Sequence, residues 1–148
     1  MRAVLNTDGG ARGNPGPAGI GVVLKSPSGD ELATIARSIG TTTNNVAEYT
    51  ALIEGLELAL SHAVTDLVVR CDSELVVHQV KGEWKIKDEK LRPLAVRAQS
   101  LLDRFSRVEI AHVRRSENAE ADRLANLGMD RAGVTSAPED TQPSLFEE

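Results

Sequence analysis

The sequence predicts an α/β domain built on a mixed five-stranded sheet, an antiparallel meander followed by parallel strands, flanked by helices. Three observations support this class. The first 40 residues hold three β-prone runs separated by turns rich in Gly, Pro and Ser, and helix and strand patterns alternate after them. Hydrophobic residues make up 41% of the chain but aromatic residues only 3%, which favours a core of Val, Leu, Ile and Ala. The length of 148 residues suits one domain.

The N-terminal runs predict an antiparallel meander. "RAVLNT" and "GIGVVLKS" flank the turn "DGGARGNPGPA", and "ELATIARSIG" follows the turn "SPSGD". Short β-prone runs joined by turns of this composition pair as neighbours. These three runs therefore form the first three strands.

After residue 43 the apolar period changes from that of a strand to that of a helix. From Asn44 to about Ser61 the large side chains recur at helical spacing, at Tyr49, Leu52, Ile53, Leu56 and Leu60. "DLVVRC" then predicts a strand buried on both faces. Further helices are predicted over about 73–80, 88–104 and 117–129, with the strand "RVEIAHV" before the last.

Four acids lie near the ends of predicted strands or the starts of predicted helices, namely Asp8, Glu48, Asp72 and Asp122. Asp8 and Asp72 each close a predicted strand, Glu48 falls in the first turn of the long helix, and Asp122 in the second turn of the last. If the first and fourth strands are parallel neighbours, the two aspartates emerge side by side. Gathered carboxylates repel one another and take up protons unless divalent cations neutralise them. The pattern therefore predicts a metal site.

Each acid also has an ordinary structural interpretation. Glu48 follows Asn45 by three residues, so the pair could form a capping box, and Asp72 could cap the next helix. Asp8 opens a turn, where aspartate is common, and Asp122 could be an exposed helical acid. Only the joint occurrence of all four favours the metal site.

The chain resembles type 1 ribonuclease H, the ribonuclease HI family, over roughly residues 1–131. The resemblance rests on four motifs in the family's order, "NTDGGARGNPGPAG", "TTTNNVAEYTAL", "LVVRCDSELVVHQVKGEWK" and "SENAEADRLAN". It implies hydrolysis of the RNA strand of an RNA/DNA hybrid, giving a 5′-phosphate and a 3′-hydroxyl. It also implies that two Mg²⁺ ions, with Mn²⁺ as an alternative, are held by the tetrad Asp8, Glu48, Asp72 and Asp122, with Asp8 between both ions.

The same resemblance implies a set of substrate contacts. It assigns 2′-hydroxyl recognition to Asn14, Asn44 and Asn45, and a phosphate contact to Thr43. Backbone amides of Gly9, Gly10 and Ala11 could approach the RNA closely. For the asparagines, turn and helix-cap chemistry is the competing interpretation.

The segment "KGEWKIK" resembles the family segment that lies along the DNA-binding channel. Trp84 would pack on a sugar and Lys85 would meet a phosphate. Alternatively, the lysines form a solvated helix face and Trp84 is a lid on the core.

The chain departs from the family's pattern in the loop before Asp122. Many members carry a mobile histidine there, whereas this shorter loop holds Arg114 and Arg115. We expect one of these arginines to meet the scissile phosphate or its product. The chain also lacks a long basic protrusion after the second helix, and it has Thr41 where some relatives place a phosphate-binding arginine. Both differences predict weaker substrate binding.

Residues 132–148 are predicted to be a disordered acidic tail. Within it, "QPSLF" is similar to short peptides that dock bacterial replication proteins on the DNA sliding clamp, through Gln142, Leu145 and Phe146. Chance, or docking on the chain's own core, explains these five residues equally well.

Charge and cysteine content bound the remaining possibilities. The formal net charge is −5, but residues 134–148 contain four acids and no Lys or Arg, so residues 1–133 carry −1. Once four acids lie under metal ions, the remaining surface is mildly basic. Cys71 is the only cysteine, which excludes an internal disulfide. With no apolar stretch of about 20 residues and no signal peptide, we expect a soluble, cytoplasmic monomer with no membrane partner.

Two rival functions stay open at this point. A hybrid-binding module without catalysis would keep the basic channel, and another nuclease of the same superfamily would act on DNA. The first should lack at least one of the four acids, and the second should lack the Asn44 and Asn45 pair.

Overall fold

The computed structural model describes residues 1–132 and contains one five-stranded mixed sheet. The strands are β1 (Arg2–Ala11), β2 (Gly16–Lys25), β3 (Glu31–Thr42), β4 (Asp66–Cys71) and β5 (Arg107–His112). They lie in the order β3-β2-β1-β4-β5, with β1, β2 and β3 antiparallel and β4 and β5 parallel to β1. The predicted fold class is confirmed.

Helices cover both faces of the sheet. They are α1 (Asn44–Ser61), α2 (Glu74–Val80), α3 (Arg92–Leu102) and α4 (Ala119–Ala132). The large core joins one face of the sheet to α1, α2 and α3, and includes Leu5, Tyr49 and Leu56, all fully buried. On the opposite face, Val23 packs with Ala121 and Leu124 of α4. The sheet is therefore the middle of three layers.

The close approach of α4 to the sheet depends on glycine. A Cβ atom at Gly21 would lie 2.1 Å from the carbonyl oxygen of Ala121, closer than any side chain could tolerate. Strand β2 therefore leaves room for the backbone of α4. This contact brings the start of α4 against the middle of the sheet.

Several element boundaries differ from the predicted ones, among them the end of β1 and the starts of α3 and α4. Strand β1 continues through Ala11, because it pairs with β2 well past Asp8. Helix α3 begins at Arg92 rather than 88, since residues 88–91 form a turn and Pro93 suits a first helical turn. Helix α4 begins at Ala119, after a short 3₁₀ turn over Arg115–Glu117.

Helix α4 includes Ala132, the residue at which the predicted tail begins. The rest of that tail, with Gln142, Leu145 and Phe146, lies outside the described residues. Among residues 1–132, none of the helices is both long enough and apolar enough to cross a bilayer.

Candidate active site

The parallel pairing of β1 with β4 brings two aspartates together. Its last register pair joins Thr7 to Cys71, and Asp8 and Asp72 are the next residue on each strand. The sequence predicted that Asp8 closes the first strand, but β1 continues three residues beyond it. Asp8 nevertheless directly follows the last residue of β1 that pairs with β4. Cys71 is fully buried, and burial raises the pKa of its thiol, so it is an unreactive core residue.

Glu48 reaches the same place from α1. The N-cap of α1 is Thr43, whose hydroxyl accepts a hydrogen bond from Val46 N at 3.3 Å. The capping box between Asn45 and Glu48 is therefore not made, and Glu48 lies in the second turn rather than the first. Its carboxylate instead accepts a hydrogen bond from Gly9 N at 3.1 Å.

Gly9 lets α1 approach β1 this closely. A Cβ atom on it would lie 2.2 Å from the carbonyl oxygen of Ala47, so only glycine fits. Side chains alternate along a strand, so Gly9 faces α1 while its neighbour Asp8 faces α4. The missing side chain thus allows Glu48 and Asp8 to meet at one point.

Three carboxylates form a compact group. Asp8, Glu48 and Asp72 each offer an oxygen, and these oxygens all lie within 4.8 Å of one another. Asp8 is only 6% exposed. Asp72 is free of the capping role suggested for it, because Ser73 is the N-cap of α2. Oxygen ligands at this spacing suit a hard divalent cation.

Asp122 approaches from the other side of the sheet. It lies in the first turn of α4, not the second, because the helix starts at Ala119. The buried amide of Asn118 fixes that start, donating to Thr7 O and accepting from Asn6, both at 2.9 Å. Asp122 stands outside the group of three, but lines the same cavity of about 720 Å³.

The crowding of these acids alters their protonation. Burial, with the charges of Glu48 and Asp72, raises the pKa of Asp8 to about 9. Burial and the charge of Asp72 raise the pKa of Glu48 to about 8, although the Gly9 amide acts in the opposite direction. The crowding therefore favours the protonated forms of both groups, and a bound cation would reverse this by favouring the carboxylates. The donor set fits a divalent metal.

Three arginines line the rim of this cavity. Arg115 donates to the Asp122 carboxylate at 3.2 Å and is 78% exposed, and Asp122 raises its pKa. Arg114 stands next to it on the rim, as the sequence suggested. The third, Arg12, was missed. Arg12 pairs with Asp130 and also donates to Asn126 at 3.2 Å. In the sequence, its position as the one charged cation of the first motif was the only indication that it lies at the cavity.

The turn between β1 and β2 is tied to the start of α1 by two asparagines. Asn14 accepts from Asn44 N at 3.0 Å, and Asn44 accepts from Ala11 N at 2.7 Å. The turn and cap interpretation is thus confirmed for these two amide oxygens. The backbone amides of Gly9 and Ala11, suggested as RNA contacts, are already bonded within the protein. Gly10 lines the cavity with them.

A second cavity, of about 530 Å³, lies beside the first. Asn45, Gln79, Trp84 and Lys85 are among the residues that line it. Trp84 is 44% exposed and stacks on His78, with ring centroids 4.5 Å apart and planes inclined by 24°. The interpretation of Trp84 as a lid on the core is therefore wrong. Sequence reasoning gave no role to Gln79.

The later basic residues of this region are engaged on the surface. Arg92 pairs with Glu89 at 3.9 Å, and Arg97 pairs with Glu57 at 2.7 Å. Exposed ion pairs of this kind are typical of a solvated helix face.

Comparison with known proteins identifies the family. The model of the family described as "Reverse transcriptase-like" matches residues 6–128. The crystal structure of ribonuclease H1 from Halobacterium salinarum superposes with a TM-score of 0.86 at 45% identity, covering 89% of this chain and 100% of that one. The chain belongs to the ribonuclease H family.

Two further ribonuclease H relatives bear on function. LC11-RNase H1, isolated from compost, was crystallised in complex with an RNA/DNA hybrid; it matches with a TM-score of 0.81 at 42% identity, over 88% of this chain and 98% of that one. A bifunctional protein of Mycobacterium tuberculosis is 47% identical over 145 residues. That match takes in 97% of this chain but 40% of the relative's own length.

Proposed function

We propose that the chain is an endoribonuclease that hydrolyses the RNA strand of RNA/DNA hybrids, leaving 5′-phosphate and 3′-hydroxyl ends. The observation that carries this proposal is the group formed by Asp8, Glu48 and Asp72, whose oxygens lie within 4.8 Å of one another in an open cavity. The ribonuclease H relatives, one of them crystallised with a hybrid, support the choice of substrate.

We infer that the cavity takes two divalent ions, Mg²⁺ with Mn²⁺ as an alternative. Bound cations would activate a water and stabilise the leaving 3′ oxygen. Asp8, Glu48 and Asp72 form the group for one ion, and Asp122, which stands apart from it, suits the second. Asp8 is next to Asp72 and Asp122 alike, which favours a place between the ions.

The arginines at the rim supply positive charge for the substrate. Arg115, held by the Asp122 carboxylate and otherwise exposed, is proposed to meet the scissile phosphate or the product, with Arg114 beside it. A guanidinium suits this role because it pairs with phosphate oxygens in a bidentate manner. These residues take the place of the family histidine that the loop lacks.

Recognition of the RNA strand is assigned to Asn14, Asn44 and Asn45, with Gly9, Gly10 and Thr43 close by. The oxygens of Asn14 and Asn44 are engaged within the protein, so their amide nitrogens are the groups left for a 2′-hydroxyl. Thr43 uses its hydroxyl as an acceptor in the cap and keeps its own proton for a phosphate oxygen.

The DNA strand is assigned to the second cavity. Trp84 presents a half-exposed indole that can stack against a sugar, and Lys85 adds a charge beside it. An aromatic ring next to a cation, without base-edge contacts, suits binding that does not depend on sequence.

We propose residues 1–131 as the catalytic domain and residues 132–148 as a tail. Docking of that tail on the sliding clamp stays a prediction, as do a monomeric state and a cytoplasmic location. A titration of a peptide spanning residues 138–148 with the clamp tests the first of these. If the peptide does not bind the clamp at a concentration of about 100 µM, the docking prediction is wrong, because even a short motif should bind with a Kd below that value.

The decisive experiment offers matched RNA/DNA, RNA/RNA and DNA/DNA duplexes in Mg²⁺, in Mn²⁺ and in EDTA. The proposal expects cutting of the RNA strand of the hybrid alone, dependent on metal, with a 5′-phosphate on the downstream product. Cutting of DNA/DNA would identify another nuclease of the superfamily. Hybrid binding without cleavage in either metal would identify an idle binding module.

A further inference from the structure

A buried side-chain amide links the helix that carries Glu48 to the loop that carries Trp84. Gln79, on α2, is only 4% exposed. Its Oε1 accepts a hydrogen bond from the Tyr49 hydroxyl at 2.7 Å, and its Nε2 donates to the Lys85 carbonyl oxygen at 3.2 Å. Tyr49 is fully buried and directly follows Glu48. A continuous chain of hydrogen bonds therefore joins α1 to the loop.

The two ends of this connection are the two parts of the proposed substrate site. At one end, α1 holds Glu48 in the carboxylate group and Asn45, one turn earlier, at the second cavity. At the other end, the Lys85 carbonyl is one peptide away from Trp84. Gln79 itself lines the second cavity between them.

Trp84 is fixed from a second direction by the residue next to Gln79. His78 supports the indole face, and its Nδ1 is hydrogen-bonded to Glu83 at 2.6 Å. Helix α2 thus holds the ring through His78 and the following peptide through Gln79. Only the Gln79 contact continues to α1.

A buried amide enforces geometry because it is costly to leave its partners unpaired. The Tyr49 hydroxyl and the Lys85 carbonyl must stay at hydrogen-bond distance from the same side chain. The position of α1 on the sheet is set by its close contact with Gly9 and does not depend on Gln79. Backbone amides of Glu83 and Trp84 also donate to the His78 carbonyl oxygen, at 2.9 and 3.2 Å, and so tie the loop to α2. Gln79 adds to this the side-chain connection that continues from the loop to α1.

We propose that Gln79 is a positioning residue that sets the Trp84 platform, meaning the exposed indole of Trp84 with its support His78, at a fixed distance from the carboxylate site. At that distance the platform would hold the DNA strand while the RNA strand reaches the metal ions. This inference rests on the proposed function. Since Gln79 is only 4% exposed and both of its amide groups are bonded within the protein, its effect on the substrate passes through Tyr49 and Lys85.

The test uses Gln79→Met, which keeps the length of the side chain and removes both hydrogen bonds, and Tyr49→Phe, which removes the first alone. Gln99→Met is the matched control. Gln99 also donates from its amide to a backbone carbonyl, that of Val80, at 3.2 Å, but it ties α3 to α2 and has no bond to α1 or to the loop.

We expect Gln79→Met to raise KM for the hybrid about tenfold with kcat at saturation within about twofold, because both positioning hydrogen bonds are lost while the metal ligands are unchanged. Tyr49→Phe should change KM in the same direction by less. Trp84 is the only tryptophan, so acrylamide quenching of its fluorescence reports the platform directly in the free protein. Quenching should increase in Gln79→Met and stay unchanged in Gln99→Met.

Equal KM values for the Gln79 and Gln99 variants, or unchanged quenching of Trp84, would overturn the proposal, because a packing role alone lowers the melting temperature of both. If Gln79→Met does not fold by circular dichroism, Tyr49→Phe decides by the same two readouts. Failure of the wild type to cut the hybrid counts against the proposed function instead, and the quenching comparison still tests the link.

Discussion

The carboxylate pocket and the Trp84 platform are built by different means. Asp8 and Asp72 are placed by the register of two paired strands, and Glu48 by a helix packed on the same strand. Trp84 lies on a loop, held by a backbone hydrogen bond to His78 O at 3.2 Å, by a stack on the His78 ring and by the Gln79 amide. The pocket is fixed by strand pairing and helix packing, whereas the platform depends on one turn of backbone and a few side chains.

This difference matches the different demands of catalysis at the pocket and of substrate binding at the platform. Chemistry at a metal site tolerates little displacement, so it sits where the backbone is most constrained. Strand binding is distributed over several contacts and tolerates adjustment. Substitutions in the pocket should therefore reduce kcat, while substitutions at the platform should raise KM.

The largest effect is expected at the pocket. Asp72→Asn should lower kcat by roughly 10³-fold, because an amide cannot supply the negative oxygen that a divalent ion requires. Steady-state kinetics on an RNA/DNA hybrid measures it. Asp66→Asn, at the start of the same strand, is the control and should leave kcat unchanged. Activity retained in Asp72→Asn would contradict the metal assignment.

Next in size is the backbone support of the pocket. Gly9→Ala should destabilise the protein by about 3 kcal/mol, since the new Cβ would overlap the backbone of α1. Gly10→Ala meets only the flexible end of Met129, at 3.3 Å, and should cost less than about 1 kcal/mol. Urea denaturation of the two variants makes the comparison. Equal stabilities would show that α1 does not depend on this close approach.

The rim of the pocket should show an intermediate effect. Arg115→Ala is expected to lower kcat by about 10- to 100-fold, because a charge-assisted contact to the reacting phosphate is lost. Arg123 is a fitting control, since it also pairs with an acid on α4, Glu120, at 2.8 Å, but does not line the cavity. Arg123→Ala should keep full turnover. If Arg114→Ala and Arg115→Ala both do so as well, the phosphate role is wrong.

At the platform the expected change is in binding. Trp84→Ala should raise KM about tenfold with little change in kcat, because one stacking contact is removed. Val96→Ala, on the exposed side of α3, serves as the control for loss of an exposed apolar side chain. A fall in kcat with KM constant would place Trp84 in the chemistry rather than in strand binding.

Stability in the absence of metal should depend on pH. Asp8 and Glu48 have folded-state pKa values raised from 3.8 and 4.5 to about 9 and about 8. At pH values between the unfolded-state and folded-state pKa values, the folded state binds more protons than the unfolded state. The free energy of unfolding therefore falls as pH rises from about 4 to about 9. Melting temperature in EDTA should decline across pH 6 to 9, and Mg²⁺ should oppose the decline. Asp8→Asn should flatten the slope; an unchanged slope would refute the assignment.

Much of the site could be predicted from the sequence. The four motifs indicated all four acids, and the structure brings these acids to one cavity. The predicted parallel pairing of the first and fourth strands brought Asp8 beside Asp72. Local patterns did less well on roles at helix ends, where Thr43 and not Asn45 caps α1, since neighbouring polar residues compete for the same amides.

The sequence by itself determined the order and type of the strands and helices, because periodicity and turn chemistry are local properties of the chain, and its motifs indicated the four acids. Tertiary structure alone decided that Gly9 gives up its amide to Glu48, that Asp122 lies beside Asp8 but outside the group of three carboxylates, and that Gln79 joins Tyr49 to Lys85. These contacts depend on how closely helices approach strands and loops, and that distance is set by packing between residues far apart in the chain.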